Sequence, residues 1–384
     1  MNKVRGNRRR SRGASSGFAS SRVAASAAAG GLLLAATACG LTGGDTPPAE
    51  GAASPASSAP PAAPPSPSEP AKEPILLAFG GDTNFEAQLR SRLAEPETAL
   101  GPTAKTLRKA DLAMINLETA ITEGGTKAPK TYAFRAPASA FAALKAAGVD
   151  VTSMANNHGM DFGVSGLRDS LAAIKESGFP TVGIGMNADE AYKPYRVTVK
   201  GNKLAIVGAT QVLDDNLIQQ WTATDGKPGL ASAKVVPRMV QAVKEAAQGS
   251  DVVIVHVHWG QELNPCPLPR QKELAQQLTA AGADIIVGGH AHIPLGGGYM
   301  DNGAYIHYGM GNFLFASARG QSARSGMLIL KVEDGKVTAD KWAPVSIQGG
   351  VPIPLKGAAA KAEVKRWNDL RECTGLNAEP VAAP

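Results

Sequence analysis

Asp284-Ile285-Ile286-Val287-Gly288-Gly289-His290-Ala291-His292 sets the reading of the whole chain. Residues 284–287 have the length and β-branched content of a buried strand, and the two glycines stop it. Two histidines follow one residue apart, where imidazoles released from a strand end can face a crevice. Imidazole is the commonest metal ligand at neutral pH. The chain has six histidines, and four of them fall in two such pairs, His256/His258 and His290/His292. Both pairs close a predicted strand, so the first question is whether the chain encodes a metal-dependent hydrolase.

The same pattern of strand followed by polar residues recurs outward from this point. The apolar run 75–79 leads to Gly80-Gly81-Asp82-Thr83-Asn84, and 112–115 leads to Asn116-Leu117-Glu118. Run 149–154 leads to Asn156-Asn157-His158-Gly159-Met160-Asp161, and 252–255 leads to His256-Val257-His258-Trp259-Gly260-Gln261-Glu262. Run 305–308 leads to Gly309-Met310-Gly311-Asn312-Phe313. Helices are predicted over 141–147, 167–177 and 270–281, each closed by a glycine. Hairpins are predicted for 196–200 with 203–207 about Gly201-Asn202, and for 327–332 with 336–340 about Asp334-Gly335. βαβ units mixed with hairpins indicate an α/β sandwich. Asp82, Glu118, Asn157, His258 and His290 each end a different predicted strand, and ligands of open α/β sheets bind beyond those ends.

Carboxylates, an Asn carbonyl and imidazoles suit manganese, iron or zinc better than calcium or copper(I). Two ions about 4 Å apart can polarise a phosphoryl or carbonyl oxygen. In that arrangement Glu118 bridges, Asp82 serves one ion, Asn157 and His258 serve the other, and His290 and His292 take one each. His158 is the candidate general acid, oriented by Asp161, and Glu262 is the candidate partner that orients His258. Asn84, Asn156, His256 and Asn312 are candidates to line the site or support its ligands. Plain structural uses stand beside these: Asp82 as a helix cap, Asn156-Asn157 as turn residues, His256 and His307 as core histidines, Asn312 as part of a turn.

Residues 1–38 read as a secretory leader. Lys3 and six arginines up to Arg22 make a basic start, and 23–38 is an alanine-rich apolar stretch too short for a comfortable membrane span. Leu34-Ala35-Ala36-Thr37-Ala38-Cys39 resembles a bacterial lipobox, with Cys39 lipidated; the alternative is an ordinary cleaved signal and an incidental cysteine. Residues 39–73 are nearly all Ala, Pro, Ser, Gly and Thr and are expected to form a disordered tether. It would span about 30 Å if flexible and up to about 100 Å if extended. The folded region is expected over 74–355, with a tail at 356–384. The expected location is the extracellular face of the cell membrane, held by the lipid, or else secretion.

Seven of the 39 basic residues and none of the 33 acidic ones precede Cys39, so the mature chain carries 32 against 33, or −1. The whole-chain charge of +6 therefore does not point to nucleic acid, and none is expected as a partner. With Cys39 lipidated, Cys266 and Cys373 make an even pair in an oxidising compartment. A disulfide stapling the tail beside the 256–258 loop is expected, the alternative being two free thiols.

Six motifs stand in order: G-G-D at 80–82, N-L-E at 116–118, A-N-N-H-G-M-D-F-G at 155–163, H-W-G-Q-E at 258–262, G-G-H-A-H at 288–292 and G-N-F at 311–313. Together they closely resemble the bacterial poly-γ-glutamate capsule-synthesis family of the CapA type, over roughly residues 74–320. That family is similar to calcineurin-like metallophosphoesterases, so the resemblance implies a four-layer α/β/β/α metallophosphatase-like sandwich with mixed sheets. It implies Asp82, Glu118, Asn157, His258, His290 and His292 as ligands of one or two divalent ions (Mn, Fe or Zn), with His158 as the acid. There are two departures. The first motif, D-x-H in phosphoesterases, reads Asp82-Thr83-Asn84, and Glu118 stands for the bridging Asp of G-D-x-x-D. One metal site thereby loses an imidazole, which counts against phosphodiesterase activity and leaves amide chemistry open. The resemblance implies a surface metallohydrolase acting on poly-γ-glutamate or another cell-wall polymer, beside membrane synthetase partners. The competing role is an accessory that binds anionic polymer during export without turnover.

Overall fold

The computed structural model describes residues 71–381. The expected leader 1–38, Cys39 and the tether up to residue 70 lie outside them. In chain order the strands are β1 (Ile75–Thr83), β2 (Leu112–Leu117), β3 (Val151–Ser153), β4 (Thr181–Val182), β5 (Tyr195–Val199), β6 (Asn202–Thr210) and β7 (Val252–His258). They continue with β8 (Ile285–Gly289), β9 (Gly297–Tyr299), β10 (Tyr305–His307), β11 (Asn312–Leu314), β12 (Arg324–Glu333), β13 (Lys336–Gln348) and β14 (Val351–Pro354). One sheet has eight strands, ordered β14-β13-β12-β1-β2-β3-β4, with β11 pairing parallel to the end of β1. The other has six, ordered β9-β10-β8-β7-β6-β5. Each sheet has a parallel run, β1-β2-β3-β4 or β6-β7-β8-β10, flanked by antiparallel strands on one side in the first sheet and on both sides in the second.

Side-chain alternation lays the two sheets face to face. Ile75, Leu77 and Phe79 of β1 meet Ile254 of β7 and Ile285 and Val287 of β8 in the core between them. The opposite face of the first sheet, with Ile115 and Leu117, packs on helices α1 (Ser139–Ala146) and α2 (Gly163–Ser177) through Phe141, Leu144 and Leu167. Val253, Val255 and Ile286 pack on α3 (Val236–Ala247) and α4 (Pro269–Ala280) through Met239, Val243, Leu274 and Leu278. The layers are therefore α/β/β/α. Strands buried on both faces read as near-continuous apolar runs, which is why they are visible in the sequence.

Several local details differ from the sequence reading. The first hairpin turns at Lys200-Gly201 (φ +45° and +79°), one residue earlier than expected, because Asn202 already pairs with Val199. The second turns at Asp334-Gly335, as expected, with the same positive φ pair. Helix α3 is absent from the sequence reading. The stretch read as a tail holds a further helix, α5 (Gly357–Asp369), whose Trp367 is buried. Cys266 and Cys373 are joined by a disulfide. Among the described residues no helix is long and apolar enough to cross a membrane.

Candidate metal centre

The parallel runs of both sheets deliver their strand ends to one place. Asp82 lies in register beside Asn116 of β2 and Asn312 of β11. Glu118 follows β2, and its main-chain N–H is tied to Thr83. His258 ends β7, in register with Gly289 at the end of β8. A Cβ on Gly289 would stand 2.7 Å from Asp82 Oδ1 and 3.1 Å from His258 Nδ1, so any side chain there would displace both. His290 and His292 follow with φ of +91° and +57°. Each such conformation costs a non-glycine residue about 1–3 kcal/mol and persists only where its surroundings enforce it. Here the His290 N–H donates to Asp82 Oδ2 at 3.0 Å.

Asp82, Glu118 and His258 are fully buried, and one ligand atom from each lies within 4.8 Å of the others. His258 Nε2 is 2.7 Å from Asn157 Oδ1 and 3.9 Å from Glu118 Oε1. His290 packs edge-on against His258, with ring centres 4.9 Å apart. His292 leans the other way, its Nδ1 2.8 Å from Asn312 Oδ1 and 3.5 Å from Asp82 Oδ2. Neither oxygen of Glu118 has a hydrogen-bond partner, and neither does His290 Nδ1. A buried carboxylate left this way is strongly destabilising unless a cation or proton joins it. Two carboxylates, an amide oxygen and three imidazoles are the donor set of a divalent transition ion, so the residues present fit such an ion.

The electrostatics agree at His258 and His290, whereas the two carboxylates hold His292 in its charged, non-ligating form. Burial, then the charge of Asp82, pushes the Glu118 carboxyl well above its ordinary range. Burial works in the same direction on Asp82, but His292, Asn116 and the His290 N–H outweigh it and hold that carboxyl low. Burial and the neighbouring histidines hold His258 neutral well below its ordinary range and bring His290 down to about 3. Neutral imidazole is the ligating form. Burial opposes a charge on His292 too, yet Glu118 and Asp82 raise it to about 10.

Beside this group stands a dyad. His158 Nδ1 and Asp161 Oδ2 are 2.5 Å apart, and His158 Nε2 points to Glu118 Oε1 at 3.7 Å. Phe134 stacks on the imidazole with ring centres 4.0 Å apart. A cavity of about 400 Å³ opens onto His158, His292 and Asn312, walled by Phe134 and Phe315, with Glu262 and Arg319 at its mouth.

Residues 76–317 match the family described as "Bacterial capsule synthesis protein PGA_cap". The chain belongs to this family. It is 33% identical over 243 residues to the capsule biosynthesis protein CapA of Bacillus anthracis, covering 62% of this chain and 58% of that protein. It is 32% identical over 235 residues to the PGA biosynthesis protein CapA of Bacillus subtilis, covering 60% and 58%. A probable polyglutamine synthesis accessory protein of Mycobacterium tuberculosis is 32% identical over 191 residues, covering 48% and 50%. The match thus spans less than two thirds of these relatives. Among solved structures, a hypothetical protein from Thermus thermophilus superposes with a TM-score of 0.45 at 19% identity, over 71% of this chain and 99% of that one. The 5′-nucleotidase of Candida albicans gives 0.43 at 12% identity, over 78% and 58%.

In this member of the family several supporting residues differ from expectation. Glu262 does not orient His258. It is exposed at the cavity mouth, and Asn116 Nδ2, 3.2 Å from His258 Nδ1, takes that place. Asn84 is spent on a turn, its Oδ1 accepting the Glu86 N–H at 3.3 Å. Asn156 acts through others, bonding the Asn116 side chain, the Leu117 carbonyl and the His158 N–H. His256 is buried beside His258 with Nδ1 unpartnered, and burial lowers it to about 4. Asn312 begins β11 rather than forming a turn.

Asn116 enters the sequence reading only as part of the N-L-E motif, with no role of its own, and Lys130 is absent from it. Asn116 donates to Asp82 Oδ1 at 2.8 Å while touching His258, so it locks two candidate ligands together. Its signal was present: an asparagine inside the apolar strand Leu112–Leu117. Lys130, with only 8% of its side chain exposed, is 3.0 Å from Asp161 Oδ1 and 3.5 Å from Asp214 Oδ2, and bonds the Asn157 carbonyl. It lies on a loop without periodicity, and nothing local in the sequence marks it.

Proposed function

We propose that this chain is an extracytoplasmic hydrolase of capsule or cell-wall polymer synthesis or export, acting on an anionic polymer such as poly-γ-glutamate. The observation that carries the reading is Glu118: a buried carboxylate with no hydrogen-bond partner among the described residues, at the centre of imidazole and carboxylate donors and facing the His158–Asp161 dyad. Asp82, Glu118, Asn157, His258, His290 and His292 would hold one or two divalent ions (Mn, Fe or Zn). Such an ion supplies Lewis-acid polarisation of the scissile carbonyl or phosphoryl oxygen. Asp161 accepts the Nδ1–H hydrogen bond of His158 and so orients the ring, and the imidazolium form would give its Nε2 proton to the leaving atom. Lys130 holds Asp161 and the Asn157 main chain in place. The capsule and polyglutamine names of the relatives support the polymer.

The location rests on the leader, the lipobox-like Cys39 and the disulfide, which suits an oxidising compartment. Residues 72 and 73 bond Asp251 and Lys200, beside the starts of β7 and β6, whereas the site lies at the strand ends. One observation favours the accessory role: Asn84, where a phosphoesterase carries a ligating histidine, is turned into a structural bend. The experiment that decides is incubation of the purified full chain, loaded in turn with Mn, Fe or Zn, with poly-γ-glutamate and with phosphodiesters. Chain shortening that disappears in His158→Ala supports hydrolysis. Binding without shortening, at any loading, leaves the accessory role.

A further inference from the structure

A trough crosses the outer side of the first sheet, away from the metal centre. It comprises two cavities of about 590 and 490 Å³ that share Thr106, Lys341 and Ala343. Its floor is apolar, with Leu76 (40% exposed), Ile329 and Ala343 laid open between β12, β13 and helix α5. Its rim is basic: Lys109, Lys331, Lys341, Lys361 and Lys365 line it, against a single acid, Asp340. Asp340 is half-buried and engaged by the Tyr305 hydroxyl at 2.7 Å. Lys331 and Lys365 have carboxylate neighbours in Glu333 and Asp369. Lys109, Lys341 and Lys361 have no ion-pair partner among the described residues.

We propose that this trough is a second binding surface, for an extended polycarboxylate chain. The trough itself stands on charge and shape; that the polycarboxylate is the polymer processed at the metal centre rests on the function proposed above. Lys109, Lys341 and Lys361, which have no ion-pair partner among the described residues, face the single acid Asp340 and give the rim a positive local field on a mature chain of net charge −1, and such a field recruits polyanions. The apolar floor argues for a polymer whose carboxylates are separated by methylene and amide segments. A polyphosphate has nothing to lay on Leu76 and Ile329, and the rim lacks the arginine forks suited to phosphate. A concave channel also fits a strand of polymer better than a flat anionic membrane. Holding the polymer here would keep it near the site through repeated encounters, by effective concentration rather than by tighter contacts at the site.

The test is fluorescence anisotropy of the purified full chain with fluorescein-labelled poly-γ-glutamate, at about 50 mM and about 200 mM salt. The comparison uses Lys109→Glu/Lys341→Glu/Lys361→Glu, the milder triple Gln variant, and His290→Ala/His292→Ala. The proposal expects binding weakened by salt, lost by at least about tenfold in the Glu variant, and reduced less in the Gln variant. It expects the histidine variant to keep the salt-sensitive part of the binding that the lysine substitutions remove, whatever becomes of metal, turnover or binding at the metal centre there. Undiminished binding in both lysine variants, with thermal midpoints at the wild-type value, overturns it. Loss only in the histidine variant also overturns it, placing the polymer at the metal centre alone and leaving the hydrolase reading intact. Capture of phosphatidylglycerol vesicles through these lysines, without polymer binding, overturns it in favour of a membrane surface.

Discussion

Two regions of the molecule bury histidines between the sheets, and they do so differently. At the strand ends, His258, His290 and His292 converge on Asp82 and Glu118. At β10, His307 lies in a stack of aromatic planes, 5.3 Å from the Trp342 ring and 5.9 Å from Trp367, and accepts the Trp367 indole N–H at 2.9 Å. Both regions leave a ring nitrogen unpaired, Nδ1 of His290 and Nδ1 of His307. Both hold a histidine near 3, chiefly by burial. Neither an orphaned nitrogen nor a shifted pKa therefore separates a ligand from a packing residue. What separates them is the convergence of two carboxylates, Asp82 and the unbonded Glu118, with left-handed backbone in one region and of apolar rings in the other. The Cys266–Cys373 disulfide links the loop after His258 to the segment after Trp367, so one staple ties the two regions together.

The sharpest way to break this contrast is His158→Ala. Turnover should fall by about 10²–10⁴-fold with metal content and thermal stability unchanged, read by polymer-length assay, elemental analysis and calorimetry. Trp367→Ala should do the reverse, costing about 3–5 kcal/mol in denaturant unfolding while the metal stays bound. Removing the staple by Cys266→Ser/Cys373→Ser should cost about 2–5 kcal/mol, since it closes a long loop in the unfolded chain. Metal content should again persist. The most gradual effect is pH dependence, small for each step of pH near neutrality. His307 is neutral when folded down to about 3 but takes a proton near 6.5 when unfolded, so the unfolded state binds more protons between those values. Its contribution is complete above about pH 6.5 and is lost, by about 1.4 kcal/mol per unit, as pH falls toward 3. His307→Phe should flatten that part of the unfolding profile, and an unchanged slope would remove His307 from the account.

The strands that carry the site were legible because parallel strands buried on both faces read as apolar runs with a polar stop. The convergence of Asp82, Glu118, Asn157, His258 and His290 follows from that reading together with one rule about strand ends. Helix α5 was hidden because its helical surface is mostly polar and Trp367 is its one buried side chain. Helix α3 was not hidden in the same way: Met239, Ala242, Val243 and Ala246 have helical spacing that the reading passed over. Asn116 had a local signal, an asparagine inside an apolar strand, whereas Lys130 and the true surroundings of Glu262 depend on contacts between distant segments that no local pattern encodes.

The most direct test of the central claim is the metal content of the purified full chain beside His290→Ala/His292→Ala and His307→Phe. The account predicts one or two equivalents of a divalent transition metal in the wild type and in His307→Phe, and loss in the double variant with its fold retained. No metal bound after loading with Mn, Fe or Zn, or equal metal in all three proteins, would contradict it.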